Sequence, residues 1–257
     1  LQVVHIDTLI LVKSHTFDSC NWLTTVTMPD AELIYSYAFH NCPILRQINM
    51  PNVGYVGREA FSQCLQIQEI ILPMCSVVDN SAFYKCRQLQ EISLPMCTHV
   101  GENTFYKCLK LQEITLPMCT HVGENAFVQC MATSLSLPMC THVGKAAFHI
   151  ALTKIELPQC TNVDEQAFAQ CSLTEIDLPK CTRLGDRAFQ ECTALTQIKL
   201  PIIADVNKFD AKISWTKEFN AELYNAVDFV IVVETFGCTN SDDFFPTEKT
   251  VKCILMN

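Results

Sequence analysis

Glycine, basic clusters and long apolar runs are what this sequence has least of. Only 7 of its 257 residues are Gly, 18% are charged, and no low-complexity run occurs, which argues against a disordered chain. The net charge of −9 arises without any cluster of Lys and Arg, so there is no electrostatic footprint for nucleic acid. No apolar run approaches the roughly 18 residues that a transmembrane helix needs, and no membrane insertion is expected. An N-x-S/T sequon is also missing, which leans away from a glycosylated ectodomain. G-x-S-x-G, the P-loop, G-x-G-x-x-G and H-E-x-x-H are all absent, and no unique nucleophile is paired with a unique base. Neither catalysis nor a cofactor is therefore expected. The chain opens on Leu1 rather than Met, which leaves the question of a signal peptide open.

What is present is a repeat. Leu94 to Phe127 contains LPMCTHVGENTF and then LPMCTHVGENAF, 22 residues apart, differing only at Thr104 and Ala126. Pro29, Pro51, Pro73, Pro95 and Pro117 keep the 22-residue spacing, and Pro138, Pro158, Pro179 and Pro201 follow at 21, 20, 21 and 22. Phe17, Phe39, Phe61, Phe83, Phe105, Phe127, Phe148, Phe168 and Phe189 keep the same beat. A fixed period of this length is the signature of a solenoid.

Each unit has three parts. The first, L-x-x-I-x-L, ends at the proline, and its last two apolar positions lie two apart, the period of a strand with one buried face. Proline closes that strand because it brings no N–H to a ladder. The second, x-C-T-x-V-G, turns Val100, Val122, Val143 and Val163 inward. Five of the seven glycines (Gly57, Gly101, Gly123, Gly144 and Gly185) share the column after that valine. This predicts either a positive φ or a close approach of neighbouring backbones, with Asp79 and Asp164 as tolerated substitutes. The third part, such as ENAFVQC, predicts a short helical or 3₁₀ turn with Ala126 and Phe127 facing in. Identical strands then pair side by side as a parallel sheet. The expected fold is an α/β solenoid with a curved parallel sheet on its concave face and helical turns on its convex face.

Two segments bound the array. Leu1, Val4 and Ile6 fit the strand template and Val12 the valine column, so the chain begins on a core strand with no polar cap, and earlier residues are expected upstream. After Pro201 the pattern fades. Residues 1–202 are read as the solenoid and 203–257 as a carboxy-terminal cap, the alternative being a small separate domain. The latter region holds Trp215, a candidate helix near Glu218 to Ala226, and β-rich runs at Phe229–Val233 and Thr250–Leu255.

The combination of L-x-x-I-x-L-P, V-G and A-F-x-x-C in a 20–23-residue unit resembles the BspA-like subclass of leucine-rich repeats over about residues 1–202. The resemblance implies a non-catalytic scaffold that binds other proteins. It points to surface-exposed adhesion or host interaction, although related proteins occur inside cells, and it supplies no catalytic residues. An intracellular structural component of a cytoskeletal or particle assembly is the alternative.

Sixteen cysteines would suggest disulfides in a secreted protein, yet fourteen of them fall into columns. One column runs Cys20, Cys42, Cys64, Cys86, Cys108, Cys130, Cys171 and Cys192, with Ile150 in the remaining coil. The other runs Cys75, Cys97, Cys119, Cys140, Cys160 and Cys181, with Ala31, Val53 and Ile203 elsewhere. Positions that accept Ile, Val or Ala are apolar core, where free Cys behaves as a small hydrophobe. Parallel Cβ vectors about 4.8 Å apart suit a disulfide poorly, and no C-x₂₋₄-C pair exists for zinc. Buried thiols suit a reducing compartment, whereas the family resemblance points to the cell surface. Only Cys238 and Cys253 lie outside the array and could pair.

Three further columns are candidate sites. His99, His121 and His142 could share a divalent ion, or be a surface position copied with the repeat. Thr98, Thr120, Thr141, Thr161 and Thr182, with Ser76, predict a structural hydroxyl ladder at a corner. The outward strand positions form the third. Glu69, Glu91, Glu113, Lys154 and Glu175 occupy one column, and Ser93, Thr115, Glu156 and Asp177 the adjacent one. Stacked like charges are destabilising, so this face is expected either to be merely solvated or to take a basic or polar protein segment.

Overall fold

The computed structural model describes residues 2–200 and, as backbone strands only, Ile213–Trp215, Phe229–Thr235 and Lys249–Leu255. The candidate helix near 218–226 and Cys238 lie outside the described residues, as does the side chain of Cys253. Each coil contributes a strand of three residues, such as Glu91–Ser93, and one of two, such as His99–Val100. The two-residue strands form one parallel nine-stranded sheet in strict sequence order from Leu11–Val12 to Arg183–Leu184. The three-residue strands pair likewise in parallel, in shorter segments, with Glu69, Glu91 and Glu113 in one register. The chain is therefore a parallel β-solenoid of about nine turns.

Proline sets the corner after the longer strand. The ladder runs one residue past it, through Leu94 N–H to the Thr115 carbonyl at 3.0 Å, and then Pro95 has no N–H to offer. The Cys97 N–H turns back to the Leu94 carbonyl at 3.1 Å, closing a β-turn with Pro95 and Met96 at its two central positions. Neither central residue has a positive φ, which fits type I, where proline is favoured at the first central position.

The third part of the coil departs from expectation. Among the described residues there is no α- or 3₁₀-helix; the segment is a chain of turns. The N–H groups of Ala82, Tyr84 and Cys86 bond back three residues within their own coil. Those of Ser81, Phe83 and Lys85 bond instead to the carbonyls of Glu102, Thr104 and Tyr106 in the next coil. In a helix successive N–H groups bond back within the same segment once the first turn is made, so the alternation, with every second bond leaving for the next coil, rules it out. The alternation requires left-handed residues four apart: Ser81 at φ 59° and Lys85 at 60°, then Asn103 at 54° and Lys107 at 60°.

No described glycine has a positive φ, so the glycine column answers to crowding alone. A Cβ on Gly101 would lie 2.6 Å from Asp79 C, on Gly123 2.6 Å from Gly101 C, and on Gly185 2.3 Å from Asp164 C.

The interior is a single column of core. Nine phenylalanines stack face to face from Phe17 to Phe189, with centroids 5.0–5.5 Å apart. Around them pack the valine, leucine and isoleucine columns. The fourteen described cysteines stand in their two columns, and all but Cys20 are buried. Their S–H groups are anchored: Cys86 donates to the Phe61 carbonyl at 3.2 Å and Cys97 to the His99 carbonyl at 3.3 Å, and both columns repeat the pattern.

At the carboxy-terminal end Gln197–Leu200 pairs in parallel with Glu175–Asp177 and antiparallel with Phe229–Thr235, which in turn pairs antiparallel with Lys249–Leu255. Both β-rich runs expected from the sequence thus fall within strands. Among the described residues no helix is long and apolar enough to cross a membrane.

Candidate functional site

The outward face of the longer strands is built by alternation. Ile70, Ile92, Ile114, Ile155 and Ile176 point into the core, so their neighbours on each side point to solvent. Glu69, Glu113, Thr115, Lys154, Glu156, Glu175 and Asp177 are exposed, and Glu91 and Ser93 half-exposed. Parallel in-register pairing sets Glu69 beside Glu91 and Glu91 beside Glu113. None of these three glutamates makes an ion pair or side-chain hydrogen bond among the described residues, and exposed Ile71 adjoins them.

The later coils differ. Lys154 lies beside Ser134 and Ser136 beside Glu156. Lys154 Nζ pairs with Glu156 Oε1 at 3.0 Å, and Ser136 donates to the other Glu156 oxygen at 2.9 Å. Those two bonds and the Lys154 charge hold the Glu156 carboxyl below its usual range. Asp177 faces Lys199 across the register. The face is thus acidic and uncompensated over Glu69–Glu113, whereas in the later coils Lys154 pairs with Glu156, Lys199 faces Asp177, and Glu175 lies beside Gln197.

The histidine column does not converge on an ion. His99 and His121 stack at 4.6 Å, and His121 and His142 at 5.9 Å. Ring nitrogen lone pairs lie in the ring planes, so stacked rings aim them side by side. Nδ1 of His99 and of His121 lies 2.8 and 2.9 Å from the hydroxyl of Thr98 and Thr120, and His142 Nε2 lies 3.1 Å from Asp164. Among the described residues no group of three or more His, Cys, Asp or Glu could hold a metal ion. The threonine column behaves as expected: each hydroxyl donates to the backbone carbonyl of the preceding column member, as in Thr120 to Thr98 at 3.0 Å.

Two features escaped sequence reading. A hollow of about 430 Å³ is lined by Lys145, Asp164, Glu165, Arg183, Leu184, Gly185 and Asp186; Lys145 is already paired with Glu165 at 2.7 Å. The other is a row of exposed methionines at the proline corner: Met74, Met96, Met118 and Met139. Its signal was visible in the repeated L-P-M-C.

Coils of this length, stacked in parallel register around a leucine, phenylalanine and cysteine core, define a leucine-rich repeat solenoid. The BspA type leucine rich repeat region model matches residues 10–133 and 120–212, in six copies, and the chain belongs to that family. Among solved structures it is similar to a leucine-rich cell surface protein of Faecalibacterium prausnitzii, at 22% identity and a TM-score of 0.56, covering 81% of this chain and 70% of that one. A leucine-rich repeat protein of Bacteroides ovatus aligns at 20% identity and a TM-score of 0.35, over 82% and 83%. No curated protein sequence matches the chain significantly.

Proposed function

We propose that this chain is a non-catalytic protein-binding scaffold, and that its outward strand face receives a basic segment of a partner protein. The observation carrying this reading is the unpaired, in-register Glu69, Glu91 and Glu113. Like charges side by side on adjacent strands destabilise a sheet, and a cationic ligand would remove that cost. Solenoids present such extended faces, concave in the usual curvature, to their ligands. Residues 203–257 are read as the cap that closes the stack, a role supported by the antiparallel pairing of Phe229–Thr235 onto Gln197–Leu200.

A lysine-rich peptide titrated against the protein tests the face by fluorescence anisotropy. Glu91→Lys combined with Glu113→Lys is expected to weaken binding on the order of tenfold or more, about 1.4 kcal/mol per decade. Raising the salt concentration should do the same to the parent, since exposed charges are screened. Glu102→Lys, away from this face, serves as the control. An equal loss in the control, or unchanged affinity in the double variant, would remove the proposal.

A further inference from the structure

Four consecutive proline corners carry a residue type that does not belong at a turn apex. Among the described corners the second central position of the turn is Asp30, Asn52, Gln159 and Lys180 in the flanking coils, all polar, but Met74, Met96, Met118 and Met139 in the middle four; Ile202 follows Pro201 in the sequence. These side chains are 56%, 52%, 44% and 45% exposed. The next residue in each coil, Cys75, Cys97, Cys119 or Cys140, is fully buried. Each turn therefore places a thioether outside and a thiol inside at adjacent positions.

We propose that Met74, Met96, Met118 and Met139 form an oxidation site, a surface stripe that accepts oxygen from hydroperoxides while the neighbouring column cysteines remain thiols. In the step, the methionine sulfur lone pair attacks the distal oxygen of hydrogen peroxide. An S–O bond forms, the O–O bond breaks, and the departing hydroxide takes the proton from the transferred oxygen, leaving the sulfoxide and water. Sulfur loses two electrons to become the sulfoxide, and the peroxide gains them.

Thiols ordinarily react through the thiolate and in proportion to exposure, and here both are withheld. Burial pushes the thiols of Cys75 and Cys119 up to about 12 and that of Cys97 to about 11, and raises that of Cys140 as well. Each S–H is also tied to a backbone carbonyl at 3.3 Å. A thioether has no proton to lose, so exposure alone governs it. Oxidation would turn an apolar stripe polar without entering the core, a change that sulfoxide reductases can reverse. The inference stands whether or not the glutamate face binds a partner.

The full chain treated with graded hydrogen peroxide, then denatured, alkylated and mapped by peptide mass spectrometry, tests it. The four stripe methionines should gain one oxygen on the order of tenfold faster than buried Met28 and Met50, with Cys75, Cys97, Cys119 and Cys140 still alkylated in full. Exposed Met131, off the stripe, reports exposure alone and should oxidise too. The oxidised protein should keep its melting temperature, and replacing all four by Leu should remove their share of oxygen uptake at unchanged stability. Oxidation of the column cysteines at the same dose, equal rates at Met28 and Met50, or a collapse in melting temperature on stripe oxidation would each overturn the proposal.

Discussion

At the residue scale, backbone roles are inverted with respect to composition. Glycine usually marks positive φ, yet here non-glycine residues such as Asn103, Lys107 and Gln129 take that conformation while the glycines make room. A left-handed non-glycine residue costs about 1–2 kcal/mol, and it persists because its N–H completes a bond to the next coil, as Lys107 does to Val128 at 2.9 Å. Two substitutions separate the roles. Gly123→Ala should lower stability by about 1–3 kcal/mol, the usual range for overpacking, because its Cβ would meet backbone on the neighbouring coil. Lys107→Gly should melt no lower than the parent, because relief at φ 60° offsets the extra freedom of the unfolded chain. Thermal unfolding of the two variants checks both; a milder effect at Gly123 than at Lys107 would contradict the assignment.

At the element scale, the coil is a unit whose columns stack and therefore couple. The histidine column makes this testable by pH. Burial, and then the charges of His99 and His142, hold His121 below its ordinary range. Its folded pKa is thus below the unfolded value, so the folded state binds protons less readily. Above about 6.5 neither state is protonated there and the term vanishes; as pH falls below that value, the unfolded state gains protons first and stability declines. The melting temperature should be flat from about pH 8 to 7 and fall on further acidification. His121→Gln should reduce that slope, and an unchanged slope would assign it elsewhere.

At the scale of the whole molecule, stability is a sum over neighbouring coils. Phe105 stacks on both Phe83 and Phe127, whereas Phe17 is half-buried with Phe39 as its one described stacking partner. Phe105→Ala should therefore cost about 3–5 kcal/mol and Phe17→Ala clearly less, as read from denaturant midpoints. The charge pattern belongs to this scale too. Three unpaired glutamates on consecutive strands, with uncharged Val3, Thr25 and Gln47 before them and Ser134 and Lys154 after, make the middle of the strand face the place to search for a partner. Neither the pattern nor its polarity is a property of any single repeat.

Much of this was legible in the residues. The 22-residue beat of Pro and Phe determined the coil, its number and its parallel register, because identical side chains can fill one column only by stacking. The Ile, Val and Ala that share columns with Cys identified buried thiols, and the i, i+2 alternation named the outward face from Glu69 to Asp177. Two matters were decided only by tertiary structure. A-F-x-x-C suggests a helical turn locally, but half its N–H groups find carbonyls on the next coil, a partner that no local pattern contains. The V-G column likewise admitted both a special φ and a close approach. Only the distance between coils, which leaves no space for a Cβ, selects the second.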